Sequence, residues 1–168
     1  MPCLAFFTFG ILREPKGHPQ VQGFFDSSGA MFPAARNSPG YISGRGFVTD
    51  HSTNASAGRR DLYQSSVADP ERHPPQASTL SLWQNLEAVH AFAYHGIHAD
   101  ALRYRKEWFV KPAWPVYVAW WVADDEAPSW EEAMARLDHL HQHGATAQAF
   151  DFKSPFDFAG NPKTMGPS

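Results

Sequence analysis

The chain has only one cysteine, Cys3, among its 168 residues. A single cysteine can form neither an intramolecular disulfide nor a cysteine metal site, so the fold must be held together by its core. A chain of this length buries roughly 70% of the surface that its unfolded form exposes, which is enough for one self-supporting domain. Because Cys3 lies within the first few residues, we do not expect it to be a catalytic nucleophile.

Basic charge is also scarce. The formal net charge is −3, and the 14 Lys and Arg residues are scattered along the chain. Nucleic-acid binding requires a continuous basic surface for the phosphates, so we expect no nucleic-acid partner. The apolar start, residues 1–12, is too short to span a bilayer and lacks a basic leader and a cleavage site. We therefore expect a cytoplasmic protein with no membrane partner.

Well-known catalytic signatures are missing as well. The sequence contains no phosphate-binding glycine loop, no nucleophile elbow and no dinucleotide fingerprint. Aromatic residues are plentiful, with 13 Phe and 6 Trp. Aromatic side chains bury large areas and often line ligand pockets or subunit interfaces. The composition is thus compatible with an aromatic core or with a hydrophobic pocket.

The hydrophobic patterns predict the order β-α-β, a long loop, then β-α-α-β-α. We expect one domain over residues 1–158, with a long loop at 50–77 that is either mobile or a lid, and a frayed tail at 159–168. Ser129 and Glu132 predict a capping box at the start of the last helix. The predicted strands are 4–12, 41–49, 79–83, 116–122 and a short one at 149–152, and the predicted helices are 19–32, 85–94, 98–109 and 130–143.

Four strands with helices between them fit a ferredoxin-like antiparallel sheet with helices on one face. The strands at 4–12 and 116–122 are apolar at both alternating positions, so we expect both faces of the sheet to be buried. Pairing with a second copy would cover the face that the helices leave open. The predicted assembly is therefore a homodimer.

Several motifs in the same order resemble the domain-of-unknown-function family 3291. The resemblance implies a dimeric α/β barrel, in which two ferredoxin-like sheets close face to face. That superfamily includes cofactor-free monooxygenases, isomerases, haem proteins and stress proteins, so the fold leaves the function open. The motifs are 6–12 (FFTFGIL), 38–40 (SPG), 80–87 (LSLWQNLE), 92–98 (FAYHGIH), 104–109 (YRKEWF), 119–122 (AWWV), 131–140 (EEAMARLDHL) and 143–150 (HGATAQAF).

The predicted helix 98–109 would turn two ionisable residues, His98 and Arg105, toward the interior along with apolar neighbours. A buried arginine needs a carboxylate or an anionic ligand, and a buried histidine can exchange protons near neutral pH. We therefore predict that His98 is a catalytic acid or base and that Arg105 holds an anionic oxygen of the substrate. In the alternative, His98 caps the helix and Arg105 pairs with Glu87 or Asp138.

Aromatic residues around this face are candidates for binding a substrate. Their alternative role is core packing. His90 and Tyr94, four residues apart on a helix, can face one cavity. The candidate substrate-binding residues are Phe7, Tyr94, Trp108, Tyr117 and Trp121.

No metal site is predicted. His95 and His98 lack a cysteine or nearby carboxylate to complete a set, and His139 and His143 lie in the last turns of a helix, where we expect them on a solvated face. No cofactor is predicted either, although haem is possible, with His98 as its axial ligand.

Three functions remain open at this point. The first is an enzyme of the cofactor-free monooxygenase or isomerase type that acts on a hydrophobic or anionic organic compound. The second is a non-catalytic ligand-binding or stress module. The third is a haem-binding protein or haem enzyme.

Overall fold

The computed structural model describes residues 1–48, 75–123 and 126–165. Most of the predicted loop at 50–77 thus lies outside the described residues, and the strand that follows the loop begins at Gln76. The strands are β1 (Cys3–Ile11), β2 (Tyr41–Val48), β3 (Gln76–Trp83) and β4 (Tyr117–Val122), and the helices are α1 (Pro19–Arg36), α2 (Leu86–Tyr94), α3 (Gly96–Arg103), α4 (Arg105–Trp108) and α5 (Trp130–His143).

The four strands form one antiparallel sheet in the order β2-β3-β1-β4. The central strand β1 pairs with β3 and β4, so that Phe7 lies between Leu80 and Val118. This order, with helices in both crossovers, is that of a ferredoxin-like fold and confirms the predicted fold class. Among the described residues, no helix is both long and apolar enough to cross a membrane.

Side chains at even positions of β1 define the first face of the sheet. Leu4 and Phe6 pack there with Trp83 of β3, with Ala35 of α1 and with the apolar side of α2. Strand residues alternate between faces, so this clustering places both crossover helices on one side. The prediction that the helices between the strands share a face is therefore confirmed.

Side chains at odd positions of β1 define the second face, which carries helix α5. Ala5 and Phe7 pack in one buried cluster with Met134 and Leu137 of that helix. We expected a second copy to cover this face, but much of it is covered by the chain itself. The sequence pattern showed that the face is buried without showing by which element.

Helix ends largely follow the sequence signals. The Ser129 hydroxyl accepts a hydrogen bond from the Glu132 N–H at 3.0 Å, and Asn85 caps α2 in the same way. The second half of the predicted capping box is replaced, because the Glu132 carboxylate accepts a hydrogen bond from Arg136 at 3.1 Å. Gly144 ends α5 with a positive φ of 74°, a conformation that glycine adopts easily.

The chain after α5 crosses to the first face and stays packed there. Phe150 exchanges two main-chain hydrogen bonds with Ala119 of β4, where we expected a short strand. Asp157 accepts from the Asn161 N–H at 2.8 Å, and Lys163 reaches Glu87 of α2. Polar and apolar contacts thus hold this C-terminal segment, residues 150–165, against the body, where we expected a frayed tail from residue 159.

Candidate functional site

The predicted helix 98–109 is divided at Tyr104, which separates α3 from α4. The Tyr104 N–H bonds to the Ala101 carbonyl, three residues earlier, so the turn tightens and the later residues rotate. Arg105 is consequently exposed, and the expectation that it faces the interior together with His98 is wrong. Glu87, one of its possible partners, bonds to Lys163.

His98 is half-buried and has a defined hydrogen bond. Its Nδ1 lies 2.8 Å from the carbonyl oxygen of Ala93. A carbonyl only accepts hydrogen bonds, so Nδ1 carries the proton and Nε2 keeps a lone pair in the neutral ring. The ring packs on Phe92 at 5.1 Å. This arrangement fixes the tautomer of His98 without bringing Arg105 to it.

The five predicted substrate-binding residues do not form one pocket. Phe7 lies on the second face, with its ring 6.2 Å from that of Trp130. Trp108 packs in a separate cluster beside α1. Trp121 lies on the first face, where its indole N–H donates to the Phe156 carbonyl at 2.8 Å. Their scatter reflects the alternation of strand side chains and the break in the helix.

Two of the five, Tyr94 and Tyr117, do come together, because the Phe152 ring lies 5.8 Å from the Tyr94 ring and 4.9 Å from the Tyr117 ring. The Tyr117 hydroxyl also accepts the main-chain N–H of Phe152 at 3.3 Å. Helix α2 contributes Tyr94, β4 contributes Tyr117, and the C-terminal segment closes over both. Tyr94 is 47% exposed, so the outer phenol meets solvent while the inner one is half-buried.

His90 joins this pair from the preceding turn of α2. Its ring lies 4.7 Å from that of Tyr94 and 5.1 Å from that of Phe152. The Phe152 ring stacks on Phe6 at 5.4 Å and contacts Tyr117 at 4.9 Å. We call these five residues, Phe6, His90, Tyr94, Tyr117 and Phe152, the tyrosine cluster.

Electrostatics keep the inner phenol neutral. Burial raises the pKa of Tyr117; the hydrogen bond from the Phe152 N–H lowers it in part, and the nearby Tyr94 and Asp151 add smaller increases. A neutral phenol retains its O–H and can donate a hydrogen bond. Tyr117 is therefore suited to stabilise negative charge on the Tyr94 oxygen or on a ligand beside it.

The sequence indicated part of this cluster. From their four-residue spacing we expected that His90 and Tyr94 could face one cavity, and their rings do pack together. Tyr117 was a candidate by its place in a strand. Phe152 and Asp151 were missed as site residues, because nothing in their spacing shows that the chain returns to the first face after α5.

Two open surface clefts lie elsewhere on the molecule. One, of about 620 Å³, lies between α2 and the turn at 38–40, and includes Phe92 and His95 in its wall. The other, of about 580 Å³, lies between α1 and the pair α3 and α4, and includes Trp108. Neither is lined by Tyr94, Tyr117 or His98, so they are separate from the tyrosine cluster.

The histidines considered for metal or haem lie in separate surroundings. In residues 1–48, 75–123 and 126–165 no group of three His, Cys, Asp or Glu side chains is close enough to hold a metal ion. His139 and His143 stack at 4.8 Å, and His139 Nε2 bonds to the Thr146 hydroxyl at 2.9 Å. His98 Nε2 has the chemistry of a haem ligand, and His98 is not in the wall of either cleft.

Comparison with solved structures finds distant likenesses. A protein of unknown function from Nitrosomonas europaea is 13% identical, with a TM-score of 0.47, and the match covers 77% of this chain and 97% of that chain. SnoaB from Streptomyces nogalater, a cofactor-independent oxygenase, is 7% identical, with a TM-score of 0.44 over 77% and 100%. A dimeric ferredoxin-like protein of unknown function from Jannaschia sp. is 18% identical, with a TM-score of 0.43 over 71% and 98%.

No protein of curated function matches the chain significantly. The family model described as "Domain of unknown function (DUF3291)" matches residues 3–165. That match spans nearly the whole chain, includes the C-terminal segment and agrees with the resemblance seen in the sequence motifs. The chain belongs to the DUF3291 family.

Proposed function

We propose that this protein is a cofactor-free acid–base enzyme that acts on a small hydrophobic carbonyl compound at the tyrosine cluster. The observation that carries the proposal is that the phenols of Tyr94 and Tyr117 both contact the Phe152 ring, beside the imidazole of His90. Ionisable groups whose pKa is shifted by burial and by specific neighbouring groups are typical of functional sites.

Tyr94 is the residue proposed to contact the ligand. In the proposed complex, the exposed hydroxyl of Tyr94 donates a hydrogen bond to the ligand's carbonyl oxygen. The hydroxyl of Tyr117 donates to the Tyr94 oxygen from the buried side. Negative charge that develops on the carbonyl oxygen is then shared along two phenols. Such preorganised donors stabilise an enolate without the reorganisation that water would require.

His90 is the proposed base. In its neutral form the imidazole accepts the proton from the carbon next to the carbonyl. The C–H bond breaks, its electron pair forms the carbon–carbon double bond of the enolate, and the carbonyl oxygen takes the negative charge. If the substrate has a further double bond conjugated with the enolate, return of a proton from the imidazolium to the far carbon of the dienolate gives an isomer; reaction of the enolate with molecular oxygen begins a monooxygenase cycle.

A direct test is hydrogen–deuterium exchange into 2-tetralone in D₂O, followed by ¹H NMR. The wild type is expected to accelerate exchange at the carbon next to the carbonyl. General acid–base groups typically contribute roughly 10²–10⁴-fold, so Tyr94→Phe should lower the protein-dependent rate at least about tenfold. Tyr104→Phe removes the hydroxyl of a tyrosine that is 51% exposed elsewhere and should leave the rate unchanged.

The earlier alternative functions predict other results, in this assay or in a haem-binding measurement. Binding of 2-tetralone without accelerated exchange would favour the non-catalytic ligand-binding module. The predicted acid–base role of His98 remains untested. Loss of exchange in His98→Ala, with normal exchange in Tyr94→Phe, would assign the role to His98. A Soret band in the protein after haem addition would support the haem alternative.

We also retain the homodimer as a proposal. Its original reason, an uncovered second face, is weakened because α5 packs there. Light scattering of the purified chain separates the cases: a mass near 37 kDa, roughly twice that of the 18.7 kDa chain, supports a dimer and the single mass contradicts it.

A further inference from the structure

The second face of the sheet contains two buried indole N–H groups that have no acceptor. Trp120 of β4 is 1% exposed and Trp114, before β4, is 6% exposed. No hydrogen-bond partner lies within reach of either Nε1 in the part of the chain that the structure describes. Both rings belong to the cluster that joins the second face to α5.

On the first face, by contrast, the indole N–H groups of Trp83 and Trp121 have acceptors within the protein. Trp83 donates to the Ser81 hydroxyl at 2.9 Å, and Trp121 donates to the Phe156 carbonyl at 2.8 Å. Buried donors in folded proteins nearly always have partners, because an unpaired one loses its hydration without compensation. The contrast therefore distinguishes the second face from the first.

The guanidinium that packs on Trp120 cannot supply the acceptor. The guanidinium of Arg136 lies 6.0 Å from the Trp120 ring centroid. A guanidinium only donates hydrogen bonds, and this one already donates to the Gln148 carbonyl and to the Glu132 carboxylate. Trp114 contacts Phe9, with ring centroids 5.6 Å apart, and a phenylalanine ring offers no oxygen.

We infer that each of the indole N–H groups of Trp120 and Trp114, in the layer between the second face and α5, is a binding site for an oxygen acceptor that is not part of the chain. The acceptor is either enclosed water or the carbonyl or hydroxyl oxygen of a small bound molecule. Enclosed water typically satisfies such buried groups, and a ligand oxygen offers the same chemistry.

The test uses the full chain labelled with ¹⁵N at the tryptophan indoles. Trp120→Phe and Trp114→Phe assign the two signals by their loss, and through-bond assignment of the wild type replaces a variant that does not fold. Trp83 is the matched control, because it is 1% exposed and has an acceptor within the protein.

Cross-relaxation of the Trp120 and Trp114 indole protons with water, and none for Trp83, would support the site with water as its occupant. A compound released on denaturation and detected by mass spectrometry would support it with a ligand oxygen, provided that both indole signals shift after refolding without the compound. If the indole protons show no cross-relaxation with water and no compound is released, the inference is overturned. The outcome is independent of the tyrosine cluster, which lies on the other face.

Discussion

The Tyr117 hydroxyl accepts a hydrogen bond from the main-chain N–H of Phe152 at 3.3 Å, although the two residues are 35 positions apart. This contact joins β4 to the C-terminal segment, whose Phe152 ring also packs on Phe6 and His90. The segment after α5 therefore builds one wall of the tyrosine cluster. Changes in this segment should affect the site as well as stability.

The buried phenol predicts a pH dependence of stability. Burial raises the pKa of Tyr117 above its ordinary value near 10, so the folded chain holds this proton more tightly than the unfolded chain. The stabilisation is complete below about pH 10 and is lost as the pH rises further. Urea unfolding between about pH 9 and 11 should show a steeper fall of the unfolding free energy for the wild type than for Tyr117→Phe. Tyr104→Phe should keep the wild-type slope, and equal slopes for wild type and Tyr117→Phe would contradict the assignment.

The ion pair of the C-terminal segment predicts the opposite dependence. The Lys163 Nζ lies 2.5 Å from Glu87 Oε1, and this hydrogen bond lowers the pKa of Glu87. The contribution is present above the ordinary carboxyl pKa of about 4.3 and is lost on acidification. Because the two side chains are 34% and 53% exposed, Lys163→Gln should cost no more than about 1 kcal/mol at pH 7. The difference from wild type should vanish near pH 3; an equal loss at both pH values would point to packing instead.

The turn before β2 provides a backbone prediction with an internal control. Gly40 has a φ of 81°, and an added Cβ would lie 2.6 Å from the Ala88 side chain. Gly40→Ala should therefore lower the unfolding free energy by about 1–3 kcal/mol. Gly29→Ala, inside α1 with nothing within 4 Å of the added Cβ, should raise it by about 0.5–1 kcal/mol. Thermal unfolding of both variants checks the signs, and similar effects would contradict the described turn.

The position of α5 on the second face can be tested by a core truncation. Leu137 is fully buried in the cluster between α5 and the sheet. Leu137→Ala should lower the unfolding free energy by about 2–5 kcal/mol. Gln142→Ala, at an exposed position of the same helix, should change it by less than about 0.5 kcal/mol. Equally small effects would mean that α5 does not pack on the sheet in solution.

Local signals in the sequence predicted the elements well. Ser129 and Gly144 marked the ends of α5, and the apolar runs of β1 and β4 gave strands within one residue of their bounds. These features depend on near neighbours, so the sequence contains what determines them. Even the expectation that both faces of the sheet are buried is confirmed.

Long-range placement was predicted less well. The period of 98–109 suggested a continuous helix, but the tightened turn at Tyr104 rotated Arg105 to the surface. The crossing of the chain after α5 brought Phe152 to Tyr117, and no local pattern encodes such a contact. Predicting the site required knowing which distant segments meet, which the spacing of residues alone does not give.

The most direct measurement of the central proposal is ¹³C NMR of the chain labelled at the tyrosine ζ-carbons, titrated with 2-tetralone. The ζ-carbon reports on hydrogen bonding and charge at the adjoining hydroxyl. We predict that the Tyr94 and Tyr117 signals shift together and saturate at one ligand concentration, while Tyr104 stays unchanged. A titration in which neither Tyr94 nor Tyr117 responds, or in which all five tyrosines drift alike, would contradict the proposed site.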